Sequence, residues 1–166
     1  MDGFDFDFIE QVPEGLSEVV IDLGGEGTVA EIWVRGADYH TGTEDFEVSR
    51  SLDNVDFELV GEGTIPSADS EGWIVLDVGQ MATRYVKVKN ITKFGNQYSL
   101  SEIMVLGSDL DVGHDLDAGV SSPCEDGYDH YPEDTNWAVG AIATASSSFG
   151  NNLPPLAIDN DVQTGW

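Results

Sequence analysis

The chain has 166 residues, 40% of them apolar, which is enough to bury one full core. It carries 32 acidic and 6 basic residues, a net charge of −26 at pH 7. A field of that sign repels nucleic acid and anionic membranes, and no apolar run approaches the roughly 18 residues that a membrane-spanning helix needs.

Short runs rich in Val, Ile, Tyr and Phe follow one another along the chain, separated by Gly, Asp, Asn and Pro. They predict strands at Val19–Leu23, Val29–Arg35, Phe46–Arg50, Phe57–Val60, Trp73–Val78, Arg84–Asn90, Glu102–Leu106 and Ala141–Ala145. Period-two alternation puts Ile32 and Val34 on one face and Glu31, Trp33 and Arg35 on the other. In Tyr85–Lys89, Val86 and Val88 oppose Lys87 and Lys89 in the same way. Asp53-Asn54 separates two strand-like runs, and Asn tolerates the positive φ of a hairpin turn. No segment has a helical period, so the fold class is all-β, a sandwich or jelly roll.

The stretch Asp109–Asn136 differs in composition. Its DLDVGHDLDAG repeats closely spaced carboxylates with Gly, which suits either a calcium loop through Asp109, Asp111, Asp115 and Asp117 or a solvated acidic linker. The spacing and distal Glu of an EF-hand are missing. The single Cys124 cannot form an internal disulfide. The N-terminus, MDGFDFDFIE, is acidic where a secretory leader needs basic residues.

Five segments together resemble a known family. Ala138–Trp166, AVGAIATASSSFGNNLPPLAIDNDVQTGW, is similar to an opening of the type A-x-G-x-x-A-x-A-S-S followed by A-x-D-G-x-x-x-T-x-W. Leu16–Gly25 (LSEVVIDLGG) matches the strand after that Trp, and Phe46–Phe57 (FEVSRSLDNVDF) matches F-x-V-x-x-S-x-D-G-x-x-F. Ala82–Lys89 (ATRYVKVK) matches A-R-Y-V-R-V, and Ser99–Gly107 (SLSEIMVLG) matches the closing strand. The pattern is that of discoidin-like modules, the coagulation factor V/VIII type C or galactose-binding-like family, whose fold is a jelly-roll β-sandwich. Here the opening stands last. A circularly permuted domain satisfies this order, with residues 1–108 as its main part, 109–136 as an acidic linker and 137–166 as its first strand and loop. A piece cut from tandem modules satisfies it too, with residues 137–166 starting a following domain.

The resemblance implies a structural calcium ion (Ca2+) held by Asp159, Asp161, Thr164 and Glu102. A hard cation wants six to eight oxygens, and a short acidic turn supplies several. Asn160 stands where the family has Gly, and Asn can adopt the same left-handed backbone. The resemblance also places Trp73, Trp137 and Trp166 in core packing, and Arg84 as a structural partner.

Ligands of such modules are bound on the loops of one rim. GADYHTGT (36–43) offers Tyr39 and His40, and NITKFGNQY (90–98) offers Phe94, Asn96 and Tyr98. An aromatic ring to stack on C–H faces, with a few polar groups for hydroxyls, suits a neutral or amino sugar better than an acidic glycan. His40, His114 and His130 lack metal-ligand spacing, and no nucleophile elbow or phosphate loop is present. The expected function is therefore a non-catalytic carbohydrate-binding or adhesion module, secreted or at the cell surface. It is expected to be monomeric unless copies exchange strands, with no membrane insertion and no nucleic-acid partner. A spacer repeat of a large surface protein, or the accessory domain of a secreted glycoside hydrolase, are the alternatives. The acidity fits a salt-adapted, halophilic host or a calcium-rich exterior.

Overall fold

The computed structural model describes residues 17–36, 42–66, 72–95, 98–111, 136–146 and 153–160, with backbone alone at 94 and 108–111. The strands in chain order are β1 (Glu18–Gly36), β2 (Gly42–Thr43), β3 (Asp45–Ser51), β4 (Glu58–Thr64), β5 (Trp73–Asn90), β6 (Lys93–Phe94), β7 (Leu100–Asp111) and β8 (Ile142–Ala145). A 3-10 turn at Pro154–Ala157 follows them.

One antiparallel six-stranded sheet runs in the order β4-β3-β5-β1-β7, with β8 also on β1. It folds over on itself. β3 pairs with residues 85–90 of β5, and β8 pairs with Val19–Asp22 of β1. β7 pairs instead with the later part of β1, from Glu26 to Gly36. The register of β1 on β5 shifts between Asp22 and Gly27 and again between Val29 and Glu31, where bulges bend the ribbon. The first halves and second halves thus form two layers. One is β4, β3, the end of β5, the start of β1, and β8. The other is the start of β5, the end of β1, and β7. The layers meet face to face: a Cβ on Gly63 of β4 would stand 2.9 Å from Ile74 Cγ2 of β5. The architecture is a discoidin-like β-sandwich.

The core lies between the layers. Val19, Ile21, Phe46, Val48, Val86 and Val88 enter it from one side, and Ile32, Val34, Ile103 and Val105 from the other. Trp137, Ala138, Ala157 and Ile158 join the same cluster. The segment that carries β8 therefore shares the core with strands more than a hundred residues earlier.

Several boundaries differ from the sequence expectation. Val19–Leu23 and Val29–Arg35 belong to one strand, as do Trp73–Val78 and Arg84–Asn90. The glycines between the first pair bend the strand without ending its pairing with β5. β4 starts at Glu58, one residue later than expected, and runs to Thr64. β7 runs to Asp111, three residues into the stretch read as linker, because Glu26 of β1 still pairs with Asp111. Asn136, at the other end of that stretch, bridges Leu106. Asn54 has a φ of 62°, the left-handed conformation the hairpin requires.

Candidate functional site

The rim is built where β1 ends and β7 begins. The two expected ligand loops leave from Gly36 and Asn90, and each contains a short strand. Gly42 pairs with Phe94, and Thr43 with Lys93, so β2 and β6 join the loops directly. Ser99 O accepts from Thr43 N at 3.2 Å, and Thr92 O accepts from Glu44 N at 2.9 Å. Ser101 Oγ donates to Gly36 O at 2.8 Å, holding the start of β7 against the end of β1.

Asp45 clasps this end of the sandwich. Its carboxylate accepts from Thr92 Oγ1 and from Thr64 Oγ1, both at 2.7 Å. Those hydroxyls, Thr92 first, hold the Asp45 carboxyl below its ordinary value. Under the rim, Thr43 Oγ1, Ser99 Oγ and both polar atoms of the Asn90 side chain are buried without hydrogen-bond partners. Native proteins leave few such groups, since each costs about 1–3 kcal/mol.

Of the residues expected to contact a ligand, Tyr98 has its side chain described, at the end of the second loop. Its hydroxyl donates to Ile91 O at 3.3 Å, and Lys93 Nζ lies 4.9 Å from its ring centroid. Phe94 is placed by its backbone in β6. Tyr39, His40 and Asn96 lie outside the described residues, as do Trp166, Asp161 and Thr164 of the expected calcium loop.

Two residues of the expected calcium set are described. Glu102 is 1% exposed on β7, in register with Arg35. Asp159 is exposed, just beyond the 3-10 turn, which packs against both β7 and β8. Asn160 has a φ of 63°, the left-handed backbone expected of it in place of Gly. Glu102 thus sits on the strand against which the 3-10 turn before Asp159 packs. Among the described residues no three of His, Cys, Asp and Glu gather into a metal cluster.

Trp137 packs in the core at 7% exposure. Trp73 does not: it is half-buried on the outer face of the three-stranded layer, edge to face with Trp33, centroids 6.0 Å apart at 63°. The register that sets Arg35 opposite Trp73 and Trp33 opposite Val75 puts all four on the outward parity. Sequence reasoning gave Trp33 its outward face but did not join it to Trp73. Arg84 is a structural partner: its Nε donates to Asp22 Oδ1 at 3.1 Å. Burial works to raise the Asp22 carboxyl, but Arg84 and the Gly24 N–H outweigh it and hold it below the usual range.

No family model matches the sequence, and no curated protein matches it. Solved structures do. A putative chitobiase fragment from Bacteroides thetaiotaomicron is 20% identical, with a TM-score of 0.51 over 56% of this chain and 61% of that one. The fold is that of a discoidin-like module. The C-terminal domain of a chitobiase from Bacteroides fragilis is 18% identical, with a TM-score of 0.49 over 57% of this chain and 64% of that one. CBM32-5 from Clostridium perfringens, solved in complex with GalNAc-beta-1,3-galactose, is 21% identical, with a TM-score of 0.48 over 53% and 63%. The present chain thus spans less than two thirds of the length of each of these modules. Among the described residues, no helix is long and apolar enough to cross a membrane.

Proposed function

We propose that the chain is a non-catalytic carbohydrate-binding module that takes a neutral or amino sugar at the rim, through Tyr39, His40, Phe94, Asn96 and Tyr98. The observation that carries this reading is the pairing of Gly42–Thr43 with Lys93–Phe94. It ties together two loop segments that each combine aromatic rings with polar side chains. One ring stacks on the sugar's C–H face while His40 and Asn96 read hydroxyls. The charge of −26 disfavours acidic glycans. A shallow rim buries little area, so affinity falls at about micromolar to millimolar.

A structural calcium ion held by Asp159, Asp161, Thr164 and Glu102 is part of this reading. Its role is to fix the turn after the 3-10 segment against β7. The module acts outside the cell, secreted or surface-bound, in adhesion or as the accessory domain of a hydrolase.

Titration of a monosaccharide panel by NMR tests the site. Shifts are expected around Gly42, Lys93 and Tyr98, and they are lost in Tyr39→Ala and Phe94→Ala. Shifts that survive both substitutions move the site elsewhere, and no shift with any sugar leaves a spacer repeat.

A further inference from the structure

We propose that water molecules buried beneath the rim solvate Asn90, Thr43 and Ser99, and that this hydration site steadies the ribbon from which the ligand loops spring. The effect on affinity rests on the carbohydrate-binding reading above; the water site itself does not. Residues 42–46 and 90–94 run antiparallel. Gly42 pairs with Phe94 and Thr43 with Lys93, and Phe46 is in register with Asn90. Between them, Thr92 O accepts from Glu44 N and Asp45 O accepts from Ile91 N. Ser99 joins this ribbon through its carbonyl, which accepts from Thr43 N at 3.2 Å.

Asn90 shares the inward parity of Val86 and Val88 on β5 and is 0% exposed. Its backbone is satisfied, the N–H donating to Ser17 O at 2.9 Å. Its side chain is not: neither Nδ2 nor Oδ1 has a hydrogen-bond partner among the described residues. Such an amide can donate two hydrogen bonds and accept two. Thr43 is 1% exposed and leaves Oγ1 in the same condition. The buried Ser99 Oγ is a further one. A native domain leaves few buried polar groups unmet, and ordered water satisfies many of those that its own chain does not.

The chemistry of these groups selects water. They are neutral donors and acceptors, with no carboxylate or ammonium among them, so an ion would find no countercharge. Burial closes the site to a sugar ring. Water both donates and accepts, and two to four polar partners hold one molecule. Thr43 and Asn90 stand three steps apart on the ribbon, about 10 Å of strand, so the site takes more than one water. Held there, the waters add hydrogen bonds beneath the backbone pairing that joins the two loops. Asn90 and Thr43 are therefore positioning residues: they touch no ligand, and they set the base of the loops that do.

The test counts long-lived waters on the full chain by water-oxygen relaxation dispersion, which hydroxyl protons do not mimic. Water cross-peaks to the amides of Thr43, Asn90 and Ile91 locate them. Asn90→Leu, close in volume but apolar, and Thr43→Val should each lose at least one long-lived water. Each should also weaken binding of the parent's best monosaccharide by about threefold or more. Thr43→Ser, which keeps the hydroxyl, should retain both water and affinity, whereas Tyr39→Ala should lose the sugar and keep the waters. A parent without these cross-peaks, or a water count unchanged in both Asn90→Leu and Thr43→Val, overturns the hydration site while the rim reading stands. Variants that lose water yet bind sugar as the parent does overturn the positioning role. If the parent binds no sugar, the rim reading falls and the water count still decides the site. If Asn90→Leu does not fold, the parent's cross-peaks and the Thr43 variants decide it.

Discussion

Trp137 lies across Gly107 of β7 so closely that a Cβ on Gly107 would stand 2.8 Å from Trp137 Cη2 and 2.9 Å from Val29 Cα. Trp137 N also donates to Val105 O at 2.8 Å, and Asn136 Oδ1 accepts from Val105 N at 3.0 Å. The segment before β8 is therefore fitted to β7, not laid over it.

Trp137→Ala should cost roughly 3–5 kcal/mol, the usual cost of removing a large buried ring, against a total stability of order 10 kcal/mol. Gly107→Ala should also destabilise, because the new methyl group meets the Thr28 carbonyl as well as the indole. Urea midpoints measure both. Removing residues 136–166 strips β8 from β1 along with the tryptophan, and the remaining chain should lose cooperative unfolding. A deletion variant that melts like the parent would mean that this segment belongs to another copy.

Calcium should stabilise the fold. An ion at a hundred times its dissociation constant adds about 2.7 kcal/mol, several degrees in a thermal melt. Asp159→Ala should abolish the response, and a chelator should return the parent to the variant's melting temperature. Equal calcium responses from parent and variant would remove the site.

Stability should rise with salt. Self-repulsion at −26 is screened as the Debye length falls to about 3 Å at 1 M. A series of urea midpoints in potassium chloride reads this directly, and a flat series would speak against adaptation to salt.

The clasp at Asp45 should carry a definite pH signature. Its folded carboxyl lies below the usual value, chiefly because of the Thr92 hydroxyl and then that of Thr64. A depressed folded value gives stability that is present above the unfolded value of about 3.9 and is lost as pH falls through the folded one. Asp45→Asn should therefore melt below the parent at neutral pH, and the gap should close in acid. Comparing the two cancels the relief of self-repulsion that protonating the other carboxylates brings. A gap that persists unchanged into acid would mean that the carboxylate charge plays no part in the clasp.

Much of this molecule is written locally. The alternation Ile32–Trp33–Val34–Arg35 fixed which side chains enter the core, since a pleated strand sends successive residues to opposite faces. Asp53-Asn54 marked its turn because Asn reaches positive φ at little cost, and Asn160 did the same in the acidic loop. The five family-like segments indicated the sandwich before any strand was paired. Pairing itself is not local. Gly24-Gly25 reads as a break, yet β1 continues through it because β5 follows the same bend on the far side. Asp109–Asp111 reads as solvated linker, yet it extends β7 because Glu26 offers an open edge. Trp33 and Trp73 stand forty positions apart with nothing nearby in the chain to join them. Only the register that sets Arg35 opposite Trp73 makes them neighbours. The rim is decided in the same way: composition marked its two loops, and the long-range pairing of Gly42 with Phe94 brought them together.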